Sequence, residues 1–260
     1  MKLSVVTISF NQAKFLRQCM DSVLGQDYQS FEYIVVDPGS TDGSREIIES
    51  YDDNRVIKIF EKDNGPADGL NKGFSKATGD IFYFINSDDY VLPRTFLSVV
   101  AEFSSNPDLD VLLGAGVEVN AGGIQVKSYY PSNVSPKSYV NGAVTLFQQG
   151  MFFRSRALRQ ALGFNSLNKT SWDGELLLTF MLKKLRFKRV MTRFAAFRIY
   201  PTSITGSQRL SVQYQLDSNR LYQLVYGAES KPSGSAAVWF RLGKILFDPK
   251  YAFFRLFRSR

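Results

Sequence analysis

Two adjacent carboxylates, Asp88 and Asp89, follow the apolar run Ile81–Ile85 across Asn86-Ser87. Like charges side by side repel, so they belong in solvent or around a cation. The run before them reads as a buried strand of a parallel sheet, and open α/β sheets bind ligands at the carboxyl ends of their strands. The plainer role is a polar turn, with Asp88 capping the next segment and Pro93 opening a helix. Upstream, Thr7-Ile8-Ser9-Phe10-Asn11 ends a first apolar run and Asp37 ends a second. In a parallel sheet those ends share one edge with Asp88 and Asp89. Hydroxyls, an amide and carboxylates gathered there suit a nucleoside, whose base N–H and ribose O–H groups need acceptors. Asp37 and Asp42 also have a simpler use in turns beside Gly39 and Gly43. Far downstream, Trp172-Asp173-Gly174-Glu175 sets two acids at the start of a helical segment, where capping and dipole compensation are the bland alternatives to catalysis.

The rest of the composition narrows the chemistry. The 260 residues contain no histidine and one cysteine, Cys19. Histidine-activated nucleophiles, histidine-ligated zinc, disulfide frameworks and thiolate clusters are therefore out, and Cys19 reads as packing within a helix. Catalysis would rest on carboxylates, amides, hydroxyls and Lys/Arg. The formal charge of +8 fits anionic partners. No glycine-rich dinucleotide fingerprint follows the first strand and no Walker sequence occurs. The amino-terminal apolar run is too short for a signal peptide, and no stretch reaches the roughly 18 to 20 apolar residues of a membrane-spanning helix. The chain is expected to stay cytoplasmic.

The elements that must position these residues alternate. Strands are expected at 3–8, 31–36, 56–60 and 81–85, with helices at 13–25, 45–51, 66–78 and 93–103, implying a doubly wound parallel sheet. Beyond residue 110 the rhythm changes. Strands at 110–119 and 124–130 flank a turn at Asn120-Ala121-Gly122-Gly123, followed by a short strand at 151–154, a short helix at 156–162, a strong amphipathic helix at 175–185 and another helix at 210–225. A Gly/Ser/Pro-containing break, 227–235, precedes the last 25 residues. One domain over 1–226 is expected, divided into a nucleotide-binding half (1–110) and a second half of changed rhythm (111–226), with 227–260 a basic aromatic tail.

In these residues the chain resembles a family 2 glycosyltransferase of GT-A fold. The resemblance is carried by Val5 to Asn11, by Val35-Val36-Asp37-Pro38-Gly39-Ser40-Thr41-Asp42-Gly43-Ser44, by Asn64-Gly65 with Asn71-Lys72-Gly73, and by Ala77-Thr78-Gly79-Asp80 leading into Asn86-Ser87-Asp88-Asp89. It spans roughly residues 3–200, with the motifs in family order. It implies an α/β, Rossmann-like, mostly parallel sheet flanked by helices, a nucleotide-diphosphate sugar donor, a divalent ion (Mn²⁺ or Mg²⁺) and inversion at the anomeric carbon. By the same resemblance Thr7 and Asp37 would hold the nucleobase, and Ser9, Phe10 and Asn11 would line the nucleoside pocket. Asn71 and Lys72 would join the donor site, Asp88 would lie near ribose or sugar, and Asp89 would bind the metal. Asp173 aligns with the usual base and Glu175 is the second candidate; Gln148-Gln149-Gly150 would touch acceptor or sugar. Pro38 departs from a common second aspartate, which leaves the base identity open.

The tail from Ala236 to Arg260 interleaves aromatic and aliphatic residues with six Lys/Arg and one acid, Asp248. Two short helices hinged at Pro249 would suit the head-group layer of an anionic membrane, with a lipid-linked glycan as acceptor. The alternatives are a terminal helix packed on the domain or a homodimer contact; nucleic acid is the weakest match. The expected protein is an inverting, metal-dependent surface-polysaccharide glycosyltransferase at the cytoplasmic membrane face. Its rivals are a non-catalytic nucleotide-sugar scaffold and a sugar nucleotidyltransferase. The latter would want a Gly/Arg-rich phosphate loop where Asn11-Gln12-Ala13-Lys14 stands.

Overall fold

The computed structural model describes residues 1–203, 207, 210–227, 234–246 and 248–257. Strands β1 (Leu3–Ile8), β2 (Phe31–Val36), β3 (Val56–Ile59) and β4 (Ile81–Phe84) pair in parallel in the order β3-β2-β1-β4. Helices α1 (Ala13–Leu24), α2 (Ser44–Glu49) and α3 (Pro66–Ser75) make the crossovers. Every residue of β2 is buried, which is why it reads as a continuous apolar run. Val5, Tyr33 and Val35 face a layer containing α1 and α4 (Thr95–Ser105), while Val6, Ile34 and Val36 face α3 on the other side.

After β4 the sheet becomes mixed. A two-residue strand, β5 (Tyr90–Val91), precedes α4. Then come β6 (Val111–Val119), β7 (Gln125–Tyr129), α5 (Pro136–Val140), β8 (Met151–Arg154), α6 (Ser155–Ala161), α7 (Trp172–Leu182) and β9 (Phe187–Arg198). The order continues from β4 through β8, β6 and β9 to β5, with β7 hydrogen-bonded to β6. Strand β8 runs antiparallel to both β4 and β6, so one sheet passes unbroken across residue 110.

Three differences from the sequence reading have physical causes. The helix expected at 175–185 starts at Trp172 and is no amphipathic surface element: Leu176, Leu177, Leu178, Phe180 and Met181 are all buried, because α7 sits inside the second core layer. Strand β9 is not anticipated because five cations (Lys188, Arg189, Arg193, Arg198 and, at its lead-in, Arg186) obscure its alternation. They are satisfied by neighbours. Arg189 pairs with Asp248 at 2.6 Å, and Lys188 with Glu102 at 2.7 Å. The five-residue α5 is also unexpected; Ser135 caps it by accepting from the Ser138 N–H.

Helix α8 (Ser211–Tyr226) is followed by α9 (Gly234–Leu246) and α10 (Pro249–Phe257), matching the two tail helices read on either side of Pro249. Most of the expected break at 227–235 lies outside the described residues, as do 258–260. The tail is docked at its hinge. Tyr251 is buried with Ala115 and Tyr130, and Asp248 accepts from Arg189 and from the Asn133 N–H at 2.8 Å. No described helix is long and apolar enough to cross a membrane.

Candidate active site

The carboxyl ends of β1, β2 and β4 meet at one edge, as a parallel sheet requires. The Ser9 N–H donates to the Val36 carbonyl at 2.9 Å, which places Ser9 beside Asp37. Asp37 is fully buried, and its Oδ1 accepts from the Gly39 and Ser40 N–H groups at 2.8 Å each and from Arg45 at 3.3 Å. Among the described residues, its Oδ2 is buried without a partner, as are Ser9 Oγ and Arg45 Nε. Buried polar atoms are nearly always satisfied, so two acceptors and a donor left open together are groups that a polar ligand would satisfy. Phe10 is 60% exposed beside them, and Asn11 adopts a left-handed backbone (φ 53°) while its side chain accepts from the Thr41 N–H at 2.9 Å.

The start of α1 is closed to phosphate. Asp42 accepts from the Ala13 N–H at 2.9 Å and Ser44 from the Gln12 N–H at 3.0 Å, so side chains occupy the donors a phosphate loop would offer. Asp42 therefore serves the turn and the cap.

Other expected donor residues have structural duties. Thr7 is fully buried, and its hydroxyl accepts from Tyr33 Oη at 3.0 Å. Cys19 lies in the same core, its thiol pushed up to about 12 by burial, consistent with plain packing. The Asn71 amide donates to the Phe164 carbonyl and accepts from the Phe164 N–H, both at 2.8 Å, fastening α3 to the segment after α6. Lys72 pairs with Asp68 at 3.8 Å and donates to the Lys62 carbonyl.

The acidic pair divides unequally. Asp89 is 1% exposed, and both oxygens are engaged: Oδ1 accepts from the Arg198 N–H at 2.8 Å, Oδ2 from Gln149 at 2.7 Å. Asp88 is only half-buried, and its carboxylate accepts from Tyr200 Oη at 3.0 Å. Burial pushes both carboxyls up, and the Asp88 charge adds to the shift at Asp89. The sequence resemblance puts the metal on Asp89, while the more exposed of the two carboxylates is Asp88. Its hard oxygens suit Mg²⁺ or Mn²⁺. Among the described residues no three His, Cys, Asp or Glu side chains converge, so a cation here would take most of its ligands from a bound molecule.

Two residues that carry this loop are missed from sequence. Arg198, at the end of β9, donates its guanidinium to the Asp88 carbonyl at 2.9 Å, to Gln18 at 2.6 Å and to the Ala121 carbonyl at 3.0 Å, and stacks over Phe15 at 4.5 Å. Tyr200 bridges Asp88 and Gln12, its hydroxyl pushed up to about 12 by burial and the Asp88 charge. The one available signal is the aromatic and cationic density of Arg198-Ile199-Tyr200 at an unrecognised strand end. Gln148 and Gln149 act from below, holding the Phe84 carbonyl at 3.0 Å and Asp89.

Asp173 and Glu175 lie close together in the first turn of α7 but face different surroundings. Glu175 is clamped: Arg220 binds both oxygens at 2.8 and 2.5 Å, and Asn165 and Asn168 donate at 2.9 and 2.7 Å. Burial alone would raise its carboxyl, but these donors outweigh it and hold it below the usual range. Asp173 has no cationic partner among the described residues; its Oδ1 accepts from the adjacent Gly174 N–H at 2.8 Å, and burial pushes its carboxyl up. It lines a cavity of about 640 Å³ with Tyr139, Asn141, Ser171, Tyr214 and Arg241. Ser171 Oγ beside it is a further buried atom without a partner among the described residues. Gly174 is required here, since a Cβ would come within 1.8 Å of Tyr139 Oη.

A four-strand parallel edge joined through β8 to a mixed half, with paired acids at the β4 end, is the GT-A architecture of nucleotide-sugar enzymes. The model of the Glycosyl transferase family 2 matches residues 4–173, and the chain belongs to that family. GlyG of Streptococcus pneumoniae is 35% identical over 115 residues, 43% of this chain and 38% of its own length. Poly(ribitol-phosphate) beta-N-acetylglucosaminyltransferase TarS of Staphylococcus aureus is 33% identical over 129 residues, 48% of this chain and 22% of its own. The chain thus matches well under half the length of these curated relatives. Among solved structures, S. aureus TarS with UDP-GlcNAc superposes with a TM-score of 0.69 at 22% identity, covering 99% of this chain and 76% of that one. Mannosyltransferase PcManGT of Pyrobaculum calidifontis, with GDP-Man and Mn²⁺, gives 0.65 at 17% identity, covering 96% and 73%.

Proposed function

We propose that this chain is an inverting glycosyltransferase that moves a sugar from a nucleoside diphosphate to an acceptor hydroxyl in surface-polysaccharide synthesis. The observation that carries the reading is the meeting, at one sheet edge, of the open Asp37 Oδ2 and Ser9 Oγ with the half-buried Asp88. The first two accept from a nucleobase, with Phe10 beside it, and Asp88 lies on the diphosphate side. The bound UDP-GlcNAc of TarS and the GDP-Man and Mn²⁺ of PcManGT support a donor and a divalent ion here. Asp88 would hold that ion, which offsets charge on the departing diphosphate.

Asp173 is the base. As the acceptor oxygen bonds to the anomeric carbon, its proton passes to the Asp173 carboxylate and the sugar–phosphate bond breaks, its electron pair leaving on the nucleoside diphosphate. Attack opposite the leaving group inverts the centre. The acceptor occupies the 640 Å³ cavity, whose tyrosines offer faces to a sugar ring. Trp239, 74% exposed, together with Val238, Leu242, Leu246 and Phe253 forms an apolar surface on the tail, which would rest on the inner face of the plasma membrane and bring a lipid-linked acceptor to the cavity.

Calorimetry with UDP, GDP, dTDP and CDP, with and without Mn²⁺, tests the donor half. One nucleotide should bind with a Mn²⁺-dependent gain that Asp88→Asn abolishes at unchanged melting temperature. Asp89→Asn should instead lower the melting temperature, since it loosens the Arg198 and Gln149 contacts. Absence of binding by all four would overturn the nucleotide-site reading.

A further inference from the structure

Away from the sheet edge, β7, α9 and α10 enclose a second cavity of about 460 Å³. Lys127, Lys244 and Arg255 line it, one from each element, together with the hydroxyls of Ser128, Thr145 and Tyr251. No carboxylate belongs to the lining. Asp248, whose charge acts on Lys244, is paired with Arg189 at 2.6 Å, and Glu118 accepts from Tyr129 Oη at 2.7 Å. The three cations make no ion pair among the described residues. Lys244 donates to Thr145 Oγ1 and sits 4.5 Å from the Tyr251 ring, and Arg255 donates to Tyr251 Oη at 3.4 Å.

Such an arrangement is costly for a protein on its own. Lys244 is half-buried, and burial pushes its ammonium down. Burial would raise the Tyr251 phenol, yet Thr145, Lys244 and Arg255 outweigh it and hold the phenol below its usual value, reporting a positive local field. Convergent cations and hydroxyls without a carboxylate are the donor set of a phosphate site.

We propose that this cavity binds a phosphate group, separate from the donor site and supplied by a lipid head group. The location favours that source: the cavity is walled by the two helices whose outer faces carry Trp239, Leu242, Leu246 and Phe253. A lipid whose head group enters between them would leave its chains against that apolar surface. The lipid source rests on the membrane reading of the tail; phosphate binding does not.

The test uses the full chain in EDTA, which disables metal-dependent binding at the donor edge. Inorganic phosphate should raise the melting temperature of the wild type and have little effect on Lys244→Gln/Arg255→Gln. Lys127→Gln, on an exposed strand residue, should give a partial loss without a folding defect. Vesicles of phosphatidylcholine containing phosphatidic acid should retain the wild type about tenfold better than the double variant. A phosphate response in the wild type without vesicle retention would keep the site but overturn the lipid source. A phosphate response that survives in both variants, or its absence in the wild type, would overturn the site.

Discussion

Asp173 and Glu175 stand two residues apart, yet their surroundings set opposite properties. Asp173→Asn should lower the transfer rate by about 10² to 10⁴ while nucleotide binding is retained, because it removes only the proposed proton acceptor. With Asp173 as the proposed base, the working form is the carboxylate, and the rate should fall as pH drops through the Asp173 value. That value is raised by burial, so the acid limb should lie above the ordinary carboxylate range in a pH–rate profile. Glu175→Gln should leave the profile in place and cost about 1.5 to 3 kcal/mol in urea unfolding, from the weakened Arg220 clamp. Sequence alone places both acids at the helix start. It cannot rank them, because Arg220 lies 45 residues away, on α8, and meets Glu175 only in the folded chain. Asp88 and Asp89 raise the same difficulty: which one turns inward depends on Arg198 and Gln149, both remote in the chain.

At the scale of elements, the parallel half is readable and the mixed half only partly so. Strands β1, β2 and β4 are buried on both faces, so their apolar runs stand out against short polar connections. Strand β9 has half-exposed residues along most of its length and cations that pair with distant partners, so no local pattern identifies it. That strand delivers Arg198 to the acidic loop through its antiparallel pairing with β5, Tyr90 opposite Ala196. Arg198→Lys keeps the charge but loses the forked contacts to Asp88, Gln18 and Ala121. Transfer should fall at least about tenfold, with a matching loss of Mn²⁺-dependent nucleotide affinity and an intact circular dichroism spectrum. An unchanged affinity would mean that the loop holds its shape without the fork.

For the whole molecule, the tail is both docked and outward-facing. Tyr251 and Asp248 bind the mixed half, while Trp239, Leu242 and Leu246 remain exposed on α9. Replacing those three by serine should abolish flotation with anionic vesicles and spare nucleotide binding. Deleting the tail would also uncover Ala115 and Tyr130, and so would confuse adhesion with damage.

The passage of one sheet through both halves has a consequence for how such enzymes can be recombined. Residues 1–110 contain the groups proposed to face the nucleotide, but the backbone N–H that fixes Asp89 and the guanidinium that fixes the Asp88 carbonyl both come from position 198. A chimera joined near residue 110 would inherit one relative's aspartates and another's arginine. Exchange of donor preference between family members should therefore succeed only when the end of β9 travels with the first four strands, as two separate pieces of one cassette.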